Sequence, residues 1–232
     1  MSDDECWSGT TVEQNTRPTT GLTDAELAGI AAVLTDAGSV PAGPLTATLI
    51  TGGRSNLTSR LTDGSSTWVL RMPPRTGRTP SAHDVAREYR VTSALMATDV
   101  PVPPAVALCQ DEDVVGFPFA VAAFVEGGTI RARSQLDELD ETTLDDVTEA
   151  LVETLVALHR VDHGAVGLER FGRPDGYAER QFRRWLSQWE LVGTPEQRGP
   201  DLELVRRLGV ALPTQRATGI VHGDYRIDNT LL

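Results

Sequence analysis

The apolar positions change period along the chain, and each change marks an element. Leu27, Ile30, Ala31 and Leu34 recur at three- and four-residue spacing, which predicts a helix with one buried face. Thr23 and Asp24 stand where an N-cap belongs, and Gly38 is its stop. From Pro44 the period falls to two. Residues 45–51, 57–62 and 67–72 read as strands, the last two joined by the turn Asp63-Gly64-Ser65-Ser66. Pro73, Pro74 and Gly77 mark a loop. Residues 84–97 return to helical spacing, with Val85, Tyr89, Thr92, Leu95 and Met96 on the buried side, and the prolines at 101, 103 and 104 end the helix. Two further strands, 106–108 and 117–125, follow around the acidic turn at 111–113.

After Glu126-Gly127-Gly128, which reads as a hinge, the pattern is helical throughout. Residues 142–160 carry the strongest stripe: Leu144, Val147, Leu151, Leu155 and Leu158 line one face. A second helix is expected from Tyr177 to about residue 190, with Phe182, Trp185 and Trp189 inside, and a short third over 201–208. Residues 1–20 are polar and aperiodic and are expected to be a disordered leader. The expected class is α+β: a small antiparallel sheet with one helix, preceded by another, over 21–125, then a mainly helical part over 126–232.

Composition removes several mechanisms. Lys plus Arg number 21 against 33 Asp plus Glu, a formal charge of −12. None of the basic residues is lysine, so neither a Schiff-base lysine nor the lysine of a Walker-type phosphate loop is available. So acidic a chain is poorly suited to nucleic acid or to an anionic membrane. The longest apolar run, about nine residues near Phe117, is too short to span a bilayer. Cys6 and Cys109 form no CxxC and no disulfide framework, and the N-terminus is acidic rather than a signal peptide, so a cytoplasmic location is expected. Arginine without lysine fits a GC-rich genome; with the charge of −12 it equally fits a high-salt cytoplasm.

The segment that carries chemistry is His222-Gly223-Asp224-Tyr225-Arg226-Ile227-Asp228-Asn229, set between the apolar pairs Ile220-Val221 and Leu231-Leu232. Asp224 and Asn229 are five apart, the D-x-x-x-x-N spacing of a kinase catalytic loop. Phosphoryl transfer needs a carboxylate to take or orient a hydroxyl proton. It also needs a neutral oxygen ligand nearby to hold Mg²⁺ against the phosphates. The plain alternative is a polar turn with an Asx cap.

This segment resembles the catalytic loop of the aminoglycoside phosphotransferase and choline kinase-like enzymes, which share the protein-kinase fold. It is most similar to the kinase-like domains associated with acyl-CoA dehydrogenases. GGRSNLT (52–58), WVLRMPP (68–74), DVAREYRV (84–91), VPVPP (100–104), FVEG (124–127), LHRVD (158–162) and FGRPDGYAERQFRRW (171–185) resemble that subgroup in order and spacing, over about residues 22–232. The resemblance implies transfer of the ATP γ-phosphate to a hydroxyl of a small molecule, with ATP and Mg²⁺ as cofactors. Aminoglycoside-like, choline-like and hydroxyacyl-CoA-like acceptors are the classes it offers; the oligomeric state stays unknown.

The resemblance also implies roles. Gly52, Gly53, Arg54 and Ser55 would lie over the nucleotide phosphates, small residues letting backbone N–H groups approach the oxygens. Arg71 stands where kinases usually place lysine, and Glu88 on the next helix is its expected partner. Phe124, Val125 and Glu126 resemble the linker whose backbone meets the adenine edge. Asp224 would be the base or hydroxyl-orienting group, Asn229 a Mg²⁺ ligand, and His222 structural. Arg226 either steadies the loop or faces an anionic substrate, and Asp228 either is a solvated loop acid or approaches the metal. Arg180, Arg183 and Arg184 are either a solvated face or a site for an anionic acceptor. The chain stops three residues after Asn229, before the hairpin that carries a second metal-binding aspartate in the family. An incomplete helical lobe and impaired transfer are therefore expected, with residues 230–232 as a strand lacking its partner. The competing function is a non-catalytic nucleotide-binding or pseudokinase module acting through protein contacts.

Overall fold

Helix α1 (Asp24–Asp36) begins where Thr23 and Glu26 cap each other: the Glu26 N–H donates to Thr23 Oγ1 at 3.2 Å, and the Thr23 N–H to Glu26 Oε2 at 2.7 Å. The computed structural model describes residues 20–50, 56–74, 84–192 and 194–232. The expected leader, apart from Thr20, falls outside them, as do Gly52 to Ser55. The described chain divides into two compact units. One takes in the residues up to Ser93 with Pro103–Val125, the other Ala94–Val102 with Glu126–Leu232.

In the first unit, β1 (Thr46–Leu49), β2 (Leu57–Thr62), β3 (Thr67–Met72), then, after helix α2 (Val85–Leu95), β4 (Ala105–Cys109) and β5 (Phe119–Ala123) form one antiparallel sheet of order β1-β2-β3-β5-β4. This matches the expected succession of three strands, a helix and two strands. Period-two alternation sorts its faces. Ser59 and Leu61 of β2, Trp68, Leu70 and Met72 of β3, and Phe119 and Val121 of β5 are buried. Ile30 and Leu34 of α1, both fully buried, join this core. Burying an aliphatic or aromatic side chain of this size stabilises by about 1.5–3 kcal/mol. The other face carries Thr58, Arg60, Val69, Arg71, Ala120 and Ala122.

The β2–β3 turn is organised by Asp63. Its carboxylate accepts the N–H groups of Ser66 at 2.6 Å, Ser65 at 2.8 Å and, from the chain before β1, Ala42 at 2.7 Å. These bonds, Ser66 foremost and then Ala42, hold the Asp63 carboxyl far below the usual carboxylate range.

The second unit contains α3 (Arg133–Asp137), α4 (Glu141–Arg160), α5 (Tyr177–Val192), α6 (Pro195–Val210) and a 3-10 turn, Ile227–Asn229. α4 is capped by Asp140, whose Oδ1 accepts the Thr143 N–H at 2.8 Å and whose carboxyl is lowered chiefly by that bond. Leu158 is buried and Leu144 exposed, so the stripe expected on α4 is covered toward its C-terminal end.

Three expectations are corrected. α6 runs well beyond 201–208, since the helix starts at Pro195, where proline is tolerated in the first turn, and continues through Gly199 and Pro200. Trp185, expected inside, is 66% exposed, and no described residue of α5 is buried. An amphipathic face is buried only against a partner. α5 packs on α6 where a Cβ added at Gly209 would lie 3.3 Å from Phe182 Cζ, and Trp185 lies off that contact. Residues 230–232, expected as a strand without a partner, form no strand. Leu232 instead exchanges two backbone hydrogen bonds with Gly128, each 2.9 Å. The approach requires glycine, since a Cβ at Gly127 would stand 2.7 Å from the Leu232 carbonyl oxygen.

Replacing Leu61, fully buried between the sheet and α1, by alanine is expected to destabilise the protein by about 2–5 kcal/mol, read as a lower urea midpoint at unchanged slope. Asp63→Ala is expected to lower the midpoint at pH 7. Because the folded carboxyl titrates below the unfolded one, its stabilisation is complete above the unfolded value near about 3.9 and fades as the pH falls. The gap between variant and parent should therefore narrow below about pH 4; a gap independent of pH would contradict the turn's role.

Candidate active site

Among the described residues, two clusters gather residues singled out from the sequence, one in each unit. In the first, the β2–β3 register sets Thr58 opposite Arg71. Asp84 Oδ1 accepts the Arg87 N–H at 2.8 Å at the start of α2, so that Glu88 falls on the first turn of the helix. Arg71 Nε donates to Glu88 Oε2 at 2.7 Å and its Nη1 to Thr58 Oγ1 at 3.3 Å. The second carboxylate oxygen of Glu88 accepts the Asn56 side-chain amide at 2.9 Å. The ion pair is partly open, with 40% of the Arg71 side chain and 43% of the Glu88 side chain exposed, so its contribution to stability is small and its effect is orientation.

Asn56 was not singled out by sequence reasoning. The signal was a polar residue between the glycine turn and the apolar start of β2. Its partner is 32 positions away, and only the fold shows that the amide is 3% exposed and aimed at Glu88.

The linker residues differ from one another. The Phe124 N–H donates to the Thr67 carbonyl at 3.3 Å, and so is committed to the end of the β3–β5 ladder, and Arg60 Cζ lies 5.0 Å from the centre of the Phe124 ring. Val125 and Glu126 are exposed.

In the second unit the segment from His222 to Asn229 closes on itself. Gly223 takes φ +87°, a conformation that other residues adopt rarely, and turns the chain into Asp224. Asn229 Nδ2 donates to Asp224 Oδ2 at 2.8 Å and to the Asp224 carbonyl at 3.0 Å. Two oxygen acceptors fix the orientation of the amide, with its nitrogen toward Asp224. Arg226 bridges two acids, Nε to Asp224 Oδ1 at 3.2 Å and Nη2 to Asp228 Oδ2 at 3.1 Å. Of the two readings left open for Arg226, the contacts are those of a residue that steadies the loop; Asp228 is its second anchor rather than a purely solvated acid.

The Tyr225 hydroxyl donates to the Leu151 carbonyl of α4 at 2.6 Å, and burial raises its phenol above the ordinary value. His222 meets the Tyr225 ring edge-on, with centroids 5.4 Å apart. Asp224 is thus held at its carbonyl and at both carboxylate oxygens, while 66% of its side chain stays open to solvent. Tyr225 is the second residue the sequence reading passed over; its place between Asp224 and Arg226 was the available signal.

Arg180 turns back on its own segment, donating to the carbonyls of Asp175 and Arg173, and Arg183 Nε donates to the Glu179 carbonyl at 3.3 Å. Among the described residues no group of three or more His, Cys, Asp or Glu comes together to hold a metal, and no helix is long and apolar enough to cross a membrane.

Residues 46–232 match the family described as the phosphotransferase enzyme family. Among curated proteins, the chain is 33% identical over 195 residues to acyl-CoA dehydrogenase family member 10 of Mus musculus, covering 84% of the chain and 18% of that protein. It is 35% identical over 192 residues to acyl-CoA dehydrogenase family member 11 of Gallus gallus, covering 82% and 24%. It is 37% identical over 189 residues to the acyl-CoA dehydrogenase IBR3 of Arabidopsis thaliana, covering 76% and 23%. The chain therefore spans under a quarter of the length of these relatives.

Among solved structures, a Ralstonia eutropha protein assigned to the aminoglycoside phosphotransferases superimposes with a TM-score of 0.75 at 34% identity, over 88% of this chain and 60% of that one. An aminoglycoside 2'-phosphotransferase-IIIa variant in complex with GDP gives a TM-score of 0.61 at 18% identity over 89% and 66%, which speaks to the fold alone. Family match, identity and superposition agree: the chain belongs to the phosphotransferase enzyme family and has its kinase-like α+β fold.

Proposed function

We propose that this chain carries the residues of an ATP-dependent phosphotransferase acting on a hydroxyl of a small molecule. The observation that carries the reading is the Asn229 amide on the Asp224 carboxylate at 2.8 Å, on a turn that leaves the carboxylate open to solvent. Asp224 accepts, or orients, the proton of the attacking hydroxyl. Arg71, aimed by Glu88 and Thr58, binds nucleotide phosphate through its planar fork. The backbone at Val125 and Glu126 meets the adenine edge. Gly52, Gly53, Arg54 and Ser55, outside the described residues, take the phosphate-covering role that the resemblance implies.

Asn229 turns its amide nitrogen to Asp224, which leaves the amide oxygen as the hard ligand that Mg²⁺ prefers. With no acidic cluster among the described residues, the donor set fits a Mg²⁺ held mostly by phosphate and water, arriving with the nucleotide. Bound there, the ion would neutralise charge on the transferred phosphoryl group.

Kinship with the acyl-CoA dehydrogenase family members favours a hydroxylated acyl thioester among the acceptor classes. The 18% likeness to the aminoglycoside 2'-phosphotransferase carries no substrate argument. The second reading, a nucleotide-binding module without catalysis, has one observation in its favour: both Asp224 oxygens are engaged, by Asn229 and by Arg226.

ATP turnover and Mg²⁺-dependent ATP binding, measured side by side, separate the readings. Asp224→Asn is expected to lower turnover by about 10²–10⁴-fold while ATP affinity stays within about twofold. Turnover equal to the parent's would remove Asp224 from catalysis. Binding without turnover in the parent selects the non-catalytic module, and no binding at all overturns both. Glu88→Ala frees the Arg71 fork and is expected to weaken ATP binding roughly tenfold; an unchanged affinity would remove the pair from the nucleotide site.

A further inference from the structure

The face of the sheet opposite the core carries a second arginine that the catalytic reading does not use. The register sets Arg60 opposite Val69 and Val69 opposite Ala122, so these three side chains lie in one row across β2, β3 and β5. Phe124, two residues beyond Ala122, projects on the same side, and the Arg60 guanidinium covers its ring at 5.0 Å. Arg60 is exposed, while Val69, Ala122 and Phe124 are half-buried.

Cation–π contacts of this kind occur roughly once per 70–80 residues and by themselves mean little. The neighbours distinguish this one. Val69 and Ala122 are short, so the planar guanidinium and the ring beneath it stand above them. Arg71 stands on the same face two residues along β3 from Val69, a rise of about 7 Å. One face therefore bears a guanidinium over an aromatic ring at one end and, at the other, a guanidinium fork already aimed by Glu88 and Thr58. A nucleotide presents the matching pair, a flat base and a polyphosphate.

We infer that Arg60, backed by Phe124, is the stacking plane for the nucleotide base. The inference rests on the nucleotide reading above and adds a residue and a consequence to it. Stacking reads the face of a base and not its edge, so this plane supports adenine and guanine alike, and discrimination between them lies elsewhere. A guanidinium supplies both the flat surface and the charge; a lysine at this position would supply charge alone.

The test is equilibrium binding of ATP, GTP and inorganic tripolyphosphate to the full chain and to Arg60→Ala and Arg60→Lys, each checked for an unchanged circular dichroism spectrum. Both variants are expected to weaken ATP and GTP by a similar factor, about tenfold, and to leave tripolyphosphate unchanged. Loss of tripolyphosphate binding would make Arg60 a phosphate contact. Restoration of ATP binding by lysine would reduce its role to charge, and ATP binding equal to the parent's in Arg60→Ala would remove it from the site; each result overturns the inference. If the parent binds neither ATP nor tripolyphosphate, the nucleotide reading itself fails and this inference falls with it.

Discussion

The sheet register is the constraint on which the first unit depends. Side chains alternate across a strand, so a pairing that slides by one residue moves a whole set of them to the other face. Leu61, Leu70 and Val121 are buried on one face because the pairing β2–β3–β5 puts them there, and the same pairing puts Thr58 opposite Arg71 and Arg71 opposite Ala120 on the other. Core burial enforces the register, since a slip would expose these apolar side chains at about 1.5–3 kcal/mol each. The hydrogen bonds around Arg71 then follow as a geometric consequence. They need not be strong, because the hydrophobic face has already fixed where the guanidinium lies.

The second unit solves the same problem by local means. Asp224 and Asn229 are brought together within a single turn, Gly223 supplying the bend and the backbone of Ile227–Asn229 the tightening. Three contacts then hold the turn from different directions: Tyr225 on the Leu151 carbonyl, Arg226 between Asp224 and Asp228, and the Asn229 amide on Asp224. The carboxylate is thus oriented through both oxygens while most of its side chain faces solvent, so its direction is set in advance of any ligand.

Legibility in the sequence follows this division. Features with local causes were readable in advance: the Thr23 cap, the Asp63 turn, the order of strands and helices, and the five-residue spacing of Asp224 and Asn229. The Arg71–Glu88 pair was reached through a family resemblance, and the distance of 2.7 Å supplies the geometry behind it. Asn56, Tyr225 and the Arg60–Phe124 stack escaped, because each contact joins residues far apart along the chain and depends on register or helix docking. The exposure of Trp185 escaped for the converse reason. Helical periodicity shows which face of α5 is apolar and is silent on whether another surface covers it.

The absence of lysine connects these points. At the third-strand position a lysine would present a rotating point charge, free to settle between carboxylate and phosphate. Arginine cannot be neutral there, and its planar fork must find several acceptors at fixed angles, so more of its surroundings have to be arranged. Glu88 takes Nε, Thr58 takes Nη1, and Asn56 holds the far oxygen of Glu88 so that the carboxylate cannot turn away. The turn around Asp224 shows the same dependence, with Arg226 spanning two carboxylates that would otherwise repel each other. A chain whose 21 cations are all arginine thus relies on forks where single point charges would do, and it pairs those forks with carboxylates drawn from a surplus of acids. The acidity that argues against nucleic acid and membrane as partners is, inside the clusters, what keeps each arginine in register.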